Sequence, residues 1–254
     1  MDMVTSADGT KIAYQKAGSG PPLIFVVGAF NDHHRCVDLA GALSDQFTVV
    51  TYDRRARGES GDTRPYAVDR EVDDLVAVIE VAGGPAAVFG YSSGALLALH
   101  AAASGAPIDQ LVLFEPSPAP PAGSDMAARL QALIDAGRPG DAVALFQTEA
   151  IGMPAEVVAG IRQSPTFAGL EAIAQSVVYD VMITDQLGRP TPSMMAVKIP
   201  TLVLSGADTW PQLVVSAVAI ADAVEVATHE VVPGGTQHDI PTDTTARIVR
   251  TALS

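Results

Sequence analysis

Five residues, Gly90-Tyr91-Ser92-Ser93-Gly94, stand between a short apolar run and an Ala/Leu-rich segment. The run Ala86-Ala87-Val88-Phe89 reads as a buried strand, and Ala95 to Ala103 as a helix packed against it. A strand that turns this abruptly into a helix puts its middle residue in a strained backbone conformation and projects that side chain out of the sheet. Glycines two before and two after are required because a Cβ at either position would collide with neighbouring backbone. Ser92 then stands at a helix N-terminus, where free backbone N–H groups stabilise a developing oxyanion. The pentapeptide by itself arises by chance in a chain rich in Gly and Ala. The strand before it and the helix after it are what point to a nucleophile.

A serine hydroxyl is a poor nucleophile near neutral pH, so a base must take its proton. Of the five histidines, His238 lies in the Gly-rich loop Pro233–Asp239, after the last predicted strand and before the last predicted helix. That is the carboxyl edge of the sheet, the edge that carries Ser92. His100 falls about two turns into the helix after Ser92 and points away from it. His229 sits inside a predicted strand, while His33 and His34 open a loop at the same edge, where starting a helix is their plainer role.

The imidazole in turn needs a carboxylate to hold its tautomer and stabilise its charged form. Two residues compete: Glu115 ends a strand in Leu113-Phe114-Glu115-Pro116, and Asp208 follows one in Ser205-Gly206-Ala207-Asp208, thirty residues before His238. Asp208 also suits the N-cap of a helix starting near Pro211. A carboxylate at the end of a buried central strand is costly unless paired, which favours Glu115; Asp208 stays open. The expected oxyanion donors are the backbone N–H of Ser93 and that of Ala29 or Phe30, in the loop Gly28-Ala29-Phe30.

These groups need elements to hold them. Lys11 to Ala17 reads as a strand after the Asp8-Gly9 turn, and Leu23 to Val27 is a continuous apolar run of the kind buried on both faces of a parallel sheet. A helix from about Arg35 to Leu43, a strand Phe47–Tyr52 and a helix Val68–Val81 follow, the last with Val72, Leu75, Val76 and Ile79 on one face. After the Ser92 turn comes the strand Gln110–Glu115. Alternation of this kind implies an α/β fold with a doubly wound, mostly parallel sheet. The pattern then changes: Pro116 to Pro121 is a hinge, and the signals to Asp185 are all helical, over Asp125–Ala136, Asp141–Ile151, Ala155–Gln163 and Phe167–Thr184. Alternation resumes with strand Thr201–Leu204, helix Pro211–Ala221, strand Glu225–Val232 and helix Thr242–Leu253. Residues 1–116 and 199–254 are thus expected to form the sheet core. Residues 117–198 form a helical insertion, longer than an ordinary connection.

The 254 residues suffice for one such domain, with 48% apolar and only 17% charged residues. A net charge of −14 with no basic cluster to offset it argues against nucleic acid or an anionic membrane as partner. The densest basic stretch, Arg54-Arg55-Ala56-Arg57, is better explained as a loop tethered by ion pairs. Val81 to Ile108 carries no charged residue, but Pro85, Gly90, Gly94 and Pro107 divide it into strand, turn and helix rather than a membrane span. A single cysteine, Cys36, excludes an intrachain disulfide and a Cys-based zinc site. It suits a reducing cytoplasm, as does the lack of a secretory pattern at Met1–Thr5. No cofactor or metal is expected, and oligomeric state is not legible.

With these pieces the chain resembles the α/β-hydrolase superfamily over essentially its whole length. The matching segments are Val27-Gly28-Ala29-Phe30, Tyr52-Asp53-Arg54-Arg55-Ala56-Arg57-Gly58-Glu59-Ser60, the turn at Ser92 and the loop at His238. Relatives usually carry Gly where Ala56 stands and His where Val27 stands. Most place the acid three residues after the seventh-strand glycine, whereas Asp208 is two after Gly206. In some members, including lactonases that open zearalenone, a Glu at the end of the sixth strand serves instead, and Glu115 matches that position.

The resemblance implies a cofactor-free serine hydrolase acting through an acyl-enzyme on an ester or lactone of a small, largely apolar substrate. C–C hydrolysis, perhydrolysis or acyl transfer by the same triad, or a ligand-binding sensor on this fold, are the alternatives. In the insertion, Met126, Met153, Met182, Met194 and Met195, with Phe146 and Tyr179, are candidates to line an adaptable lid, though packing within the lid is their plainer role.

Overall fold

The computed structural model describes residues 1–254. Eight strands form one sheet: β1 (Asp2–Thr5), β2 (Lys11–Ala17), β3 (Pro22–Val26), β4 (Thr48–Tyr52), β5 (Ala86–Tyr91), β6 (Ile108–Phe114), β7 (Thr201–Asp208) and β8 (Ala227–Thr236), in the order β1-β2-β4-β3-β5-β6-β7-β8. The first two pairings are antiparallel and all others parallel. The order reverses between β3 and β5, which places the crevice of a doubly wound sheet at the carboxyl ends of those two strands.

Because side chains alternate along a strand, each central strand feeds two cores. Leu23, Phe25 and Val27 join Phe89, Val112 and Phe114 on one face, under α1 (Val37–Leu43) and α11 (Thr242–Ala252). Ile24, Val26, Val88, Leu111 and Leu113 face the other way. They pack under α2 (Val68–Ala82) and α3 (Ser93–Ala103), with Ala217 and Ile220 of α10 (Pro211–Ala223). The charge-free stretch 81–108 is thus the end of α2, then β5 and α3, and no helix is long and apolar enough to cross a membrane.

Between β6 and β7 lie α4 (Met126–Asp135), α5 (Pro139–Leu145), α6 (Ala155–Arg162), α7 (Phe167–Ala172), α8 (Ala174–Leu187) and α9 (Pro192–Met195). The expected helix 141–151 ends early and loosens into a π-helical turn over Phe146–Ala150. The expected helix 167–184 is broken at Ile173, because Phe167 of α7 packs with Val143 of α5 while α8 turns toward α3 and α4. Ile183, Leu187, Met194 and Val197 pack into the large core under the sheet, so the last part of the insertion is continuous with the core layer. The strand β1 and the short α9 carry too few residues to show periodicity. The helix expected from Arg35 begins instead as a 3-10 turn over His33–Cys36, capped by the Asp32 carboxylate.

Candidate active site

Ser92 holds φ 59° and ψ −124° between β5 and α3, in the left-handed region that side chains avoid. Packing enforces the strain. A Cβ at Gly94 would lie 2.2 Å from the Val26 carbonyl oxygen, and one at Gly90 2.6 Å from Ala95 Cα, so β3, β5 and α3 approach too closely for any residue but glycine. Gly28 faces the turn from the loop after β3, where a Cβ would meet the Ser92 Cβ at 2.5 Å.

Glu115 follows β6 with no exposed surface and a positive φ of 45°. One carboxylate oxygen, Oε2, forms a short hydrogen bond with His238 Nδ1, and the other accepts from the Gly206 N–H at 2.8 Å. A buried carboxylate is tolerated because both oxygens are engaged. His238 also has positive φ, 65°, and its loop is pinned on three sides. Tyr91 Oη donates to the His238 carbonyl at 2.6 Å, Thr209 Oγ1 accepts from its N–H at 3.3 Å, and the Tyr91 ring stacks on the imidazole with centroids 4.6 Å apart. Burial pushes the Tyr91 phenol up to about 12, so it serves as a neutral donor.

Asp208, the competing carboxylate, is exposed, and its side chain makes no hydrogen bond or ion pair. The sheet geometry explains why. β6 ends at Phe114, so that Glu115 leaves the strand and meets the imidazole, whereas β7 runs on to Asp208 as paired strand. The Ser92 hydroxyl is hydrogen-bonded to Ser117 Oγ at 3.0 Å and not to His238. Ser117 was not anticipated; its position two residues after Glu115 was the available signal.

The loop after β3 is held by its carbonyls. Arg57 donates to Gly28 O through a short bond and to Asn31 O at 3.0 Å, Arg54 donates to Val27 O at 3.0 Å, and Asn31 Nδ2 donates to Ala29 O at 2.6 Å. The Ala29 N–H meets no acceptor in the protein. Ser93, the first residue of α3, has no carbonyl one turn behind it inside the helix. Both arginines reach Asp180 of α8, at 2.9 Å from Arg54 and 2.7 Å from Arg57, and Arg54 is doubly bonded to Glu71. Burial would raise the Asp180 carboxyl, but the charges of Arg57 and Arg54 and the Ser93 hydroxyl hold it below its ordinary value. Burial would likewise lower Arg54, and Glu71 and Asp180 hold it well above; Arg57 is lowered by burial and by Arg54 beside it. Arg55 pairs with Asp74 and Asp8. Each of the three arginines is therefore tethered by a carboxylate from outside its own loop. Asp180 was missed in the sequence, although a lone carboxylate between Tyr179 and Val181 in an apolar helix segment signals a buried partner.

Ser92 and His238 open onto a cavity of about 360 Å³, walled by Phe30, Met126, Phe146, Val181, Trp210 and Leu213 among others and containing no lysine or arginine in its lining. Of the lid residues considered above, Met126 and Phe146 reach this wall. Met194 lies in the core and Met195 is exposed, Met153 and Met182 are absent from the lining, and Tyr179 stacks on Tyr66 with its hydroxyl on Asp62. The remaining histidines lie outside the cavity: His33 bonds Asp53, His34 Asp32, His100 Asp69 and His229 Ser205. Ligand atoms of Asp32, His33 and His34 converge within 4.8 Å, but both Nδ1 atoms are already engaged by carboxylates.

Residues 23–251 match the model of the Alpha/beta hydrolase family. An alpha/beta hydrolase from Sphaerobacter thermophilus is 42% identical over the whole of both chains, with a TM-score of 0.92. An uncharacterized hydrolase of Bacillus subtilis, YraK, is 38% identical over 95 residues, which are 36% of this chain and 35% of that one, so the chain matches about a third of that relative. The fold is shared with an enol-lactonase from Burkholderia xenovorans at 22% identity, covering 99% of each chain with a TM-score of 0.72. It is shared too with a thermophilic esterase from Thermogutta terrifontis at 21% identity, covering 99% and 97%, with a TM-score of 0.75.

Proposed function

This chain belongs to the alpha/beta hydrolase family, and within it we propose that the protein is a cofactor-free serine hydrolase cleaving an ester or lactone of a small, uncharged, largely apolar substrate. The observation that carries the reading is the pairing of buried Glu115 with half-buried His238, which shares the lining of a mostly apolar cavity with a strained serine. In this reading Ser92 Oγ leaves Ser117, turns toward His238 Nε2 and attacks the substrate carbonyl as the imidazole takes its proton. Glu115 holds Nδ1 and stabilises the imidazolium; Asp208 has no part. The N–H groups of Ala29 and Ser93 receive the oxyanion. His238 then protonates the leaving alcohol as its bond to the carbonyl breaks, leaving an acyl-enzyme on Ser92. The imidazole next takes a proton from a water that attacks the acyl carbon, and returns it to Ser92 Oγ as the acyl bond to that oxygen breaks, releasing the acid.

Exposure to an alkyl fluorophosphonate followed by intact-mass measurement tests the reading. One adduct on the native protein and none on Ser92→Ala supports an activated Ser92, and turnover of aryl esters or lactones lost in the same variant completes the case. A folded native protein that takes no adduct overturns it in favour of a ligand-binding role.

A further inference from the structure

The proposed oxyanion donors lie on two different segments, and one side chain from a third segment reaches both. Asp180, on α8 of the insertion, has 2% of its side chain exposed. Its Oδ1 accepts from Ser93 Oγ at 2.6 Å and from Arg54 and Arg57 at 2.9 Å each, and its Oδ2 accepts from Arg57 at 2.7 Å. The contact with Ser93 fixes the residue whose N–H is one donor. The contact with Arg57 acts at one remove on the other. Arg57 uses Nη2 for Asp180 and Nη1 for the carbonyl of Gly28. The Gly28 carbonyl and the Ala29 N–H belong to one planar trans peptide and point in opposite directions. Holding that carbonyl in the guanidinium therefore aims the Ala29 N–H away from Arg57, where no protein group accepts it.

We propose that Asp180 is a positioning residue through which the insertion sets both halves of the oxyanion site, an assignment that rests on the serine-hydrolase reading. A merely structural ion pair between insertion and core is the competing account, and the same buried network supplies its control. Glu71 is the second carboxylate on Arg54, bonded at 2.7 and 2.8 Å, and also accepts from Tyr66, but it bonds neither Ser93 nor Arg57. It reaches their segments only through Arg54, which donates to Val27 O and, at 3.4 Å, to Ser93 Oγ, and which Asp180 still holds when Glu71 is neutralised.

The experiment compares Asp180→Asn with Glu71→Gln, each removing one negative charge from the network without changing side-chain size. Asp180→Asn is expected to lower kcat for an aryl ester by about 10²–10³, the range for losing an oxyanion donor, with KM within about threefold of native. Affinity for an aryl trifluoromethyl ketone, which forms a tetrahedral adduct on the serine, should fall in parallel. Glu71→Gln should lower the urea midpoint yet leave kcat within about threefold. Equal kcat losses in the two variants, or a raised KM with kcat intact in Asp180→Asn, overturn the assignment. Should Asp180→Asn not fold, Ser93→Ala removes one arm only and keeps the backbone N–H. A kcat loss of about fivefold or more at unchanged KM then supports the proposal, and unchanged kcat overturns it. A native protein that turns over no ester fails the hydrolase reading itself, before any variant is compared, and this assignment with it.

Discussion

A carboxylate with no exposed surface is costly, and Glu115 meets that cost with two partners, the His238 imidazole and the Gly206 N–H. Removing its charge while keeping its shape leaves the imidazole without the group that selects its tautomer. Under the proposed mechanism Glu115→Gln should lower kcat by about 10³–10⁴, whereas Asp208→Asn should change it by less than about twofold, because its exposed side chain makes no hydrogen bond or ion pair. Steady-state kinetics of the two variants checks the assignment, and the reverse order would transfer the role to Asp208.

The unit that matters among the elements is the close approach of β3, β5 and α3 around Ser92. Strain at one serine survives because three elements over-determine it. A methyl group at Gly94 would sit 2.2 Å from Val26 O and 2.6 Å from Val27 O; Val26 cannot retreat without disturbing the pairing of β3 with β5, and Val27 O is held by Arg54. Gly94→Ala should therefore cost about 3 kcal/mol of stability by urea denaturation. Gly41→Ala is the contrast. It lies on α1 with nothing within 4 Å of the new methyl group, and it should gain about 0.5–1 kcal/mol from helix propensity.

Charge acts over the whole molecule. The chain carries −14 overall, and the cavity lining adds Asp180 and Glu149 without a lysine or arginine to receive an anion. Asp180 is saturated by its own partners and Glu149 by Arg129, so the site presents neutral and apolar surface to a substrate. A carboxylate entering it is repelled at a distance and desolvated without compensation on arrival. An aryl ester of succinic acid with its far carboxylate free should show kcat/KM about tenfold or more below that of its methyl ester, with the gap narrowing as salt is raised. Equal or faster turnover of the free acid would refute an uncharged substrate.

Much was local and therefore legible in the chain itself. The continuous apolar runs of β3 and β5, the one-sided periodicity of α2 and the glycines around Ser92 are consequences of neighbouring residues; they led to the doubly wound α/β sheet that the structure has, and the family resemblance supplied the α/β-hydrolase fold. Ser92 was singled out by its glycine-flanked turn between strand and helix, Glu115 by the cost of an unpaired carboxylate at a buried strand end, and His238 and Ala29 by their loops at the carboxyl edge of the sheet. The tertiary structure decided what depends on distant partners. Glu115 meets His238 across 123 residues while the exposed Asp208 side chain bonds no partner, and Asp180 meets Arg54 across 126. No local pattern records such pairings, because a buried charge finds its partner only when the sheet and the insertion close around both. The break at Ile173 has the same origin: propensity allowed one helix, and packing against two different neighbours required two.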